Sequence, residues 1–411
     1  MVAMKPSVVL LMVAAIAIAA DTDSMSIALG KHRWFDLRDA VVAVKAPPFY
    51  RLIMATAFND VRGAEKEISA VMRSGLSPQQ LGEVHYQLYR LYNRIGQYHN
   101  AVAEERKLWS TAEAGWTPSD VEKADADALE RLPNLEVVSR RPATTSYSEW
   151  PGRATVVVPV AINGQLARFG FDTGAGMCGM TETLAKRFGL RISIGQPLYD
   201  GMAGAQSTAG HYAIAERLKI GNTEFRNVSF LVVPDQLEVL QEIPTDERGW
   251  IGLPIALALQ TIRWNRSHRL DTGFAPARAS VRTANLAFES LSPLIAVEVA
   301  SRRLSFEFDT GGEATTLWPP FGEDFPELLQ DARKTSQKIS GATGGVNLDA
   351  AILPELQMRV AGFPVVIKDV SALRSPTVPA SNFHHGLMGM DTLSKAAEVT
   401  LDFRAMRLDL R

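Results

Sequence analysis

The sequence lacks several features that would assign a function directly. It has one cysteine, Cys178, in 411 residues, which excludes an intrachain disulfide. Its 43 basic and 45 acidic residues give a formal net charge of −2, so there is no electrostatic case for binding nucleic acid. The motifs HExxH, GxSxG, CxxC and GxxxxGKS/T do not occur, and the metal-hydrolase, serine-hydrolase, zinc-site and P-loop interpretations therefore have no support.

The single cysteine lies six residues after Asp172, a place where a nucleophile could be suspected. No Cys-His-Asn pattern surrounds it, however. We therefore interpret Cys178 as a small buried apolar residue in a strand.

Long apolar runs are scarce as well, and the clearest one stands near the first residue. Residues 1–20 carry one charge, Lys5, ahead of an apolar run from Val8 to Ala20 that contains the small residues Ala17-Ile18-Ala19. This pattern predicts a secretory signal peptide, and hence export to the periplasm or the medium. An uncleaved anchor is the alternative, but the run is short for a bilayer span. No later stretch predicts stable membrane insertion.

The hydrophobic pattern of the sequence changes along its length, from helical spacing to strand patterning. Residues 26–131 show the 3.6-residue spacing of amphipathic helices. One stretch resembles a tetratricopeptide-type helical hairpin with Gly96 at its turn, on the basis of Leu88, Tyr92, Gly96, Tyr98 and Ala101. A weaker copy precedes it, because Ala64 lies 37 positions before Ala101. The helical domain is either a platform for a substrate or protein partner, or a structural cap.

The remaining sequence predicts strands. Residues 132–151 contain Pro133 and Pro142 among Ser and Thr residues and are interpreted as a linker. Beyond them, short Val-rich runs alternate with Gly and Asn, as in TVVVPVAINGQ and FRNVSFLVVPD, which is all-β patterning. The predicted fold class is therefore multidomain, with helical hairpins followed by β structure.

A seven-residue pattern occurs twice in the β part: a Phe-x-Phe strand that runs into Asp-Thr-Gly at Asp172 and again at Asp309. Asp309 lies 137 positions after Asp172. The same spacing relates further glycines, pairing Gly204 with Gly341, Gly249 with Gly386, and Gly252 with Gly389. One supersecondary plan is therefore used twice. A third triplet, Asp271-Thr272-Gly273, lacks the aromatic strand, and we interpret it as a coincidence at a strand end.

At these residues the sequence resembles the aspartic proteases, in the retropepsin-like branch. Asp172-Thr173-Gly174-Ala175 has the usual form of that branch, and Asp309-Thr310-Gly311-Gly312 is similar to it. Each copy is followed by a small-apolar-Gly element, Gly249–Leu253 and Gly386–Met390. The resemblance covers about Ser148 to Arg411.

The resemblance implies two pseudo-symmetric β-barrel lobes, residues 152–278 and 279–411. It implies that Asp172 and Asp309 form a catalytic dyad, supported by Gly174 and Gly311. The hydroxyls of Thr173 and Thr310 would bond across the lobe interface. It further implies a polypeptide substrate, no metal and no cofactor, and a monomer, because one chain supplies both aspartates.

By position, two uncharged Gly-rich stretches resemble the hairpin flaps that close over substrate in this family. They are residues 201–210 and 340–345, and the candidate substrate-binding residues in them are Gly204, Ala205, Gln206, Gly341, Ala342 and Thr343. Small residues make such a hairpin mobile, which suits gating. The alternative is a plain solvent turn in each lobe.

Two departures from the family pattern carry further expectations. Ala175 and Gly312 stand where pepsin-type sites have a hydroxyl residue, so the dyad has fewer donors and should titrate higher. We therefore expect an activity optimum at about pH 5 to 7. Glu313 departs from the equivalent Gly176, and it either contacts substrate backbone or an Arg, or is simply solvated. His384 and His385 either line the cleft or sit in a loop, and the loop is favoured.

Three functional interpretations remain open. The first is an aspartic endopeptidase that hydrolyses peptide bonds through a water molecule activated by Asp172 and Asp309. The second is a non-catalytic peptide-binding protein, against which the two intact aspartates argue. In the third, compatible with the first, the helical domain recruits a protein partner that the protease then processes.

Overall fold

The computed structural model describes residues 23–111, 117–192, 198–199, 208–275, 283–330, 332–341, 344–377 and 379–411. The predicted signal peptide at residues 1–20 lies outside this range. Across the described residues, no helix is both long and apolar enough to cross a bilayer.

Helices come first in the chain. Residues 23–30 are helical, and further helices span Trp34–Ala43 (α1), Pro48–Ala57 (α2), Val61–Met72 (α3), Pro78–Arg94 (α4), Tyr98–Ser110 (α5) and Asp120–Leu129 (α6). Ser77 starts α4 with a capping box closed by Gln80. Gly96 has φ of 72°, which turns the chain from α4 into α5. The hairpin turn predicted at Gly96 is therefore confirmed, and α2 with α3 forms an earlier hairpin.

The helices pack on the β part rather than standing apart from it. At one contact, Trp34 donates its indole N–H to Glu289 at 2.8 Å, and His32 lies 2.7 Å from the same carboxylate. Arg94 donates to the Ser290 carbonyl at 2.7 Å. At another contact, Tyr212 donates its hydroxyl to Asp125 of α6 at 2.8 Å. The helical region therefore contacts both halves of the β structure.

The segment predicted as a linker is instead made of strands: Glu136–Ser139 (β1), Ala143–Ser146 (β2) and Ser148–Glu149 (β3). β1 pairs with the strand Thr223–Val233, β2 with the strand Arg269–Thr272, and β3 with the strand Val156–Ile162. The linker interpretation is therefore wrong. Pro142 precedes β2 rather than interrupting it, so it costs no ladder hydrogen bond.

Lobe 1 consists of the strands Val156–Ile162 (β4), Gln165–Phe171 (β5), Cys178–Thr181 (β6), Arg191–Ile192 (β7), Leu198–Tyr199 (β8), Thr208–Ala209 (β9), His211–Ile220 (β10), Thr223–Val233 (β11), Gly249–Ile251 (β12), Thr261–Asn265 (β13) and Arg269–Thr272 (β14). Its helices are Glu182–Arg187 (α7) and Leu253–Leu259 (α8). The main sheet runs β1-β11-β6-β12-β5-β4-β10-β7.

Lobe 2 repeats the plan with the strands Leu286–Glu289 (β15), Ser292–Val299 (β16), Arg302–Phe308 (β17), Thr316–Leu317 (β18), Arg333–Gly341 (β19), Gly344–Val360 (β20), Phe363–Leu373 (β21), Gly386–Met388 (β22), Glu398–Asp402 (β23) and Arg407–Leu410 (β24). Its helices are Pro319–Asp324 (α9), Pro326–Leu329 (α10) and Met390–Leu393 (α11). The sheet runs β15-β16-β17-β22-β18-β21-β20-β19.

A sheet shared by the lobes joins them, in the order β2-β14-β13-β23-β24. Its central pair, β13 with β23, is antiparallel and links lobe 1 to lobe 2. Helices followed by two barrel-like β lobes confirm the predicted fold class. The repeat also holds in register, because β5 and β12 pair in parallel as β17 and β22 do.

Candidate active site

Two aromatic strands place the two aspartates. Phe169 and Phe171 of β5 and Phe306 and Phe308 of β17 are at most 2% exposed, so each strand is fixed by its buried face. The next residue in each case is the aspartate. The Asp172 N–H donates to the Ile251 carbonyl at 3.0 Å, and the Asp309 N–H donates to Met388 at 3.1 Å. The parallel neighbour strand thus holds the backbone of each acid.

The two carboxyl groups lie close enough for each to shift the pKa of the other. Asp172 Oδ1 also accepts the N–H groups of Gly174 and Ala175 at 2.9 and 3.0 Å. Asp309 Oδ1 accepts from Gly311 at 2.8 Å. The sequence predicted this pair, and the structure brings it together from residues 137 positions apart.

The glycine of each triplet makes room for the carboxyl of the other. A Cβ atom on Gly311 would lie 2.6 Å from Cγ of Asp172, and a Cβ atom on Gly174 would lie 2.7 Å from Cγ of Asp309. Real Cβ atoms do not approach other atoms so closely, so any side chain at either position would displace a carboxyl group. The absence of a side chain at Gly174 and Gly311 therefore allows the two carboxyl groups to lie close together.

Burial raises the pKa of both carboxyl groups, whereas the two acids shift each other's pKa in opposite directions. The pKa of Asp172 is raised well above its ordinary value, first by burial and then by the charge of Asp309. Burial also raises the pKa of Asp309, although N–H donors from Gly311, Gly312 and Gly174 counteract it. Two acids so close cannot both ionise, and one proton stays with the pair.

The two threonines lock the loops against each other. Thr173 Oγ1 donates to the Phe308 carbonyl at 2.9 Å and accepts the Thr310 N–H at 3.1 Å. Thr310 Oγ1 donates to the Phe171 carbonyl at 2.7 Å and accepts the Thr173 N–H at 3.0 Å. Both side chains are fully buried. The cross-lobe bonding implied by the resemblance is therefore confirmed. Both hydroxyls, both N–H groups and both carbonyls have hydrogen-bond partners.

Behind each loop, a buried side chain caps the small-apolar-Gly element. Cys178 Sγ accepts the Gly252 N–H at 3.3 Å, and Thr315 Oγ1 accepts the Gly389 N–H at 3.2 Å. Cys178 is 1% exposed, and burial raises its pKa to about 12. A thiol in this state is no nucleophile at neutral pH, so the prediction of a buried strand residue is confirmed.

Glu313 follows neither of the alternatives that the sequence left open. Its carboxylate accepts the Ala154 N–H and the Thr155 hydroxyl, both at 3.0 Å, and so reaches from lobe 2 to lobe 1. At the equivalent Gly176, a Cβ atom would lie 2.8 Å from Cδ1 of Leu291. The contact from lobe 2 to lobe 1, made by Glu313, is therefore polar, whereas the equivalent contact of Gly176 with lobe 2 is apolar. The sequence spacing did not predict this difference.

The flap candidates fall partly outside the described residues. Gly341 ends β19 and pairs with Gly344, so the second stretch belongs to a β-hairpin. Ala342 and Thr343 lie outside the described residues, as do Gly204, Ala205 and Gln206. β8 and β9, which lie before and after Gly204, Ala205 and Gln206 in the chain, pair with each other. Lys338 of β19 reaches Glu238 of lobe 1 at 2.9 Å, so the lobe 2 hairpin contacts the other lobe.

The remaining predicted features lie away from the dyad. Asp271, in the third triplet, belongs to β14 and bonds Thr144, Arg263 and Arg269, so the interpretation as a strand-end coincidence is confirmed. His384 and His385 sit in a loop, as favoured; His384 is fully buried, and His385 lies 3.2 Å from Asp324. Among the described residues, no cluster of His, Cys, Asp and Glu could hold a metal ion.

Sequence reasoning missed one acid next to the dyad. Glu307 is 9% exposed and lies two residues before Asp309. Burial and, secondarily, the charge of Asp309 raise its pKa to about 7. The 137-residue spacing could have revealed it, because the equivalent residue in lobe 1 is Gly170.

Comparison with known proteins agrees with the resemblance carried by the Asp-Thr-Gly stretches. Residues 158–254, in lobe 1, match the model of a family described as aspartyl protease. No curated protein sequence matches the chain.

Several solved structures are similar to the chain. One is a retropepsin-like aspartic protease from Rickettsia conorii, at 15% identity and a TM-score of 0.25, covering 33% of this chain and 93% of that one. Another is basic 7S globulin from soybean, at 12% identity and a TM-score of 0.39, covering 66% of this chain and 94% of that one. A third is conglutin gamma, a basic 7S globulin from lupine seeds, at 12% identity and a TM-score of 0.37, with the same two coverages.

Proposed function

We propose that this chain is an aspartic endopeptidase in which Asp172 and Asp309 activate a water molecule to hydrolyse a peptide bond. One observation carries the proposal: two buried carboxyl groups face each other between twin loops that the hydroxyls of Thr173 and Thr310 bond together. Holding two desolvated acids together lowers the folding free energy available to the protein, so a structural role alone does not explain the pair. The arrangement supplies a general acid and a general base in one site.

The effect of each acid on the other favours one assignment of the proton. The charge of Asp309 raises the pKa of Asp172, whereas the contact with Asp172 lowers the pKa of Asp309. We therefore assign the proton of the resting enzyme to Asp172 and take Asp309 as the carboxylate.

The reaction then follows from these two roles. Asp309 takes a proton from water as the water oxygen attacks the scissile carbonyl carbon, while Asp172 donates its proton to the carbonyl oxygen. The tetrahedral diol collapses when a diol hydroxyl returns a proton to Asp172 and Asp309 passes its proton to the amide nitrogen. The C–N bond breaks, and a carboxylic acid and an amine leave. Both aspartates end in their starting states, without a covalent intermediate.

The test is cleavage of an unfolded protein between about pH 4 and 7, the range in which a shared proton is retained. Wild type should cleave, pepstatin-type statines should inhibit, and Asp172→Asn and Asp309→Asn should each lose about 10²- to 10⁴-fold in rate. Asp271→Asn is the matched control, since it alters an identical triplet outside the site, and a thermal melt checks that it folds. If both dyad variants cleave like wild type, the proposal is wrong.

The alternative of a non-catalytic peptide-binding protein is decided by the same preparation. If wild type cleaves no member of a peptide library yet binds unfolded chains, with affinity unchanged in Asp172→Asn, the binding interpretation replaces the enzymatic one.

We also propose that the helical region is a structural brace, that the chain is exported, and that it works as a monomer. The contacts of Trp34 and Arg94 with lobe 2, and of Asp125 with lobe 1, support the brace. The apolar run before residue 21 supports export. Two triplets in one chain support the monomer, because no second copy is needed to complete the dyad. Recruitment of a protein partner by the helices remains a proposal compatible with these.

A further inference from the structure

The two lobes differ sharply at one position beside the dyad. Glu307 in β17 and Gly170 in β5 are equivalent by the 137-residue spacing. Their parallel neighbours are equivalent too, since Glu307 pairs with Leu387 of β22 and Gly170 pairs with Trp250 of β12. The strand pairing is thus the same in the two lobes, whereas the side chains at the paired positions differ.

Glu307 lies on the face of β17 that presents the dyad. Side chains alternate along a strand, so Phe306 and Phe308 point into the lobe 2 core while Glu307 shares the opposite face with Asp309. Leu387, its parallel neighbour, confirms the orientation: a Cβ atom on Gly312 would lie 3.3 Å from Leu387 Cδ2 and 3.1 Å from Asp309 Oδ2.

The equivalent surface of lobe 1 is aromatic. A Cβ atom on Gly170 would lie 2.3 Å from the ring of Trp150, so that indole covers the position. A Cβ atom on Gly179 would lie 2.0 Å from the ring of Trp250. The surface beside Asp172 is thus made of two tryptophans, while the surface beside Asp309 is made of an acid and a leucine.

Glu307 has no cation to balance its charge. Within the part of the chain that the structure describes, no Lys, Arg or His nitrogen lies within 4.0 Å of its carboxylate, and the polar side chain that lowers its pKa is Ser292 of β16. Asp309 is the ionisable group that raises the pKa of Glu307, and Asp172 lies next to Asp309. The neighbouring Leu387 is apolar and offers no charge. A buried carboxylate without a cation is unfavourable, so Glu307 either stays protonated or takes a cation from outside.

We propose that Glu307 is a specificity-determining residue that selects a lysine or arginine side chain next to the scissile bond on the lobe 2 side, while Trp150 and Trp250 select an apolar side chain on the lobe 1 side. This inference rests on the proposed endopeptidase function, because the substrate must lie across the dyad. The incoming cation supplies the charge partner that Glu307 lacks, and desolvation strengthens the pair.

The decisive measurement compares two peptides that differ only at one residue beside the scissile bond, lysine against norleucine, which has the same carbon chain without the charge. In wild type, kcat/KM should favour lysine by about 10- to 100-fold, on one side of the bond only. In Glu307→Gln the preference should vanish through loss of the lysine rate alone. Glu298→Gln, an exposed acid of the same lobe, is the matched control and should keep the preference.

Two further readouts separate specificity from a structural role. In wild type the lysine preference should grow as pH rises through about 7, because Glu307 becomes ionised, and in Glu307→Gln it should be independent of pH. Glu307→Lys should reverse the preference towards glutamate. A merely structural role of Glu307 would lower the rates for both peptides equally.

The outcomes distinguish the inference from the function beneath it. If wild type cleaves a peptide library in an Asp172-dependent way but shows no basic preference on either side, the inference is wrong and the endopeptidase stands. If wild type cleaves nothing, the function is in doubt, and binding of statine peptides that carry lysine or norleucine then decides: equal affinities overturn the role of Glu307.

Discussion

The two lobes of this protein are equal at the dyad and unequal one step away from it. Both supply an aspartate, a glycine that faces the opposite carboxyl, and a threonine that bonds across the interface. They differ at the residue two positions before each aspartate, where Gly170 corresponds to Glu307, and four positions after it, where Gly176 corresponds to Glu313. The proposed hydrolysis requires matched geometry from both lobes at the dyad, whereas the proposed substrate contacts and the lobe interface do not. The symmetry is therefore kept at the residues to which we assign the chemistry.

The largest effect we expect comes from filling the space that each glycine leaves. Gly174→Ala or Gly311→Ala would push a methyl group against the opposite carboxyl, displacing it by an ångström or so. The cleavage rate should fall at least about 10²-fold in both variants. Gly30→Ala, with nothing within 4 Å of its Cβ position, is the control. Loss of activity in one variant alone would mean that the two loops are not equivalent.

The next effect comes from the threonines. Thr173→Val and Thr310→Val each remove two cross-lobe hydrogen bonds and leave a buried N–H and a buried carbonyl without partners. We expect each to lower the free energy of unfolding by about 2–4 kcal/mol in urea denaturation, with the two values alike. Thr→Ser at the same positions keeps the hydroxyl and should retain most of the stability. A cost confined to one lobe would contradict the reciprocal network.

A smaller effect should distinguish the caps behind the loops. Thr315 also donates to Asp391 at 2.6 Å, whereas the equivalent of Asp391 in lobe 1 is Pro254, which offers no carboxylate to Cys178. Thr315→Cys should therefore cost about 2 kcal/mol, because it removes a hydrogen bond to a charged group. Cys178→Thr should cost less, about 1 kcal/mol. Denaturation of the two variants side by side measures the difference, and equal costs would refute the explanation.

The smallest effect concerns pH and stability. The folded-state pKa of Asp172 is raised, so its contribution to stability is present below its unfolded pKa and is lost as pH rises through the folded value. Asp172→Asn should therefore melt a few degrees above wild type, roughly 2–4 °C, at pH 8 and near it at pH 4. Asp309→Asn should gain less, because N–H donors offset the rise in its pKa. A gain that grows towards low pH would have the wrong sign.

Local pattern was enough for some of this architecture. The resemblance of one helical stretch to a tetratricopeptide-type hairpin predicted the α4–α5 turn at Gly96, and the Phe-x-Phe strands predicted where each aspartate lies. Cys178 was placed correctly because a small residue in an apolar run is buried by its own strand. Each of these features depends on neighbours within a few residues.

Other features depended on partners far along the chain, and there the sequence failed. Residues 132–151 became strands because β11 and β14 offer open edges, which no local composition reveals. Glu313 bonds Ala154 and Thr155 across the lobe interface, and its own surroundings in sequence say nothing of them. In the sequence, Glu307 is simply the polar residue between two buried phenylalanines of a strand. Its position beside Asp309 became apparent only when the surface of β17 was compared with that of β5 at Gly170.

The sequence by itself determined that one β plan is used twice in constant register, because periodicity and repeated motifs survive in a linear string. Only the tertiary structure decided which groups on the two copies meet. The paired carboxyl groups, the threonine cross-bonds and the uneven surfaces beside the dyad all arise where lobes 1 and 2 face each other, and contact between distant segments is set by the packing of the whole chain.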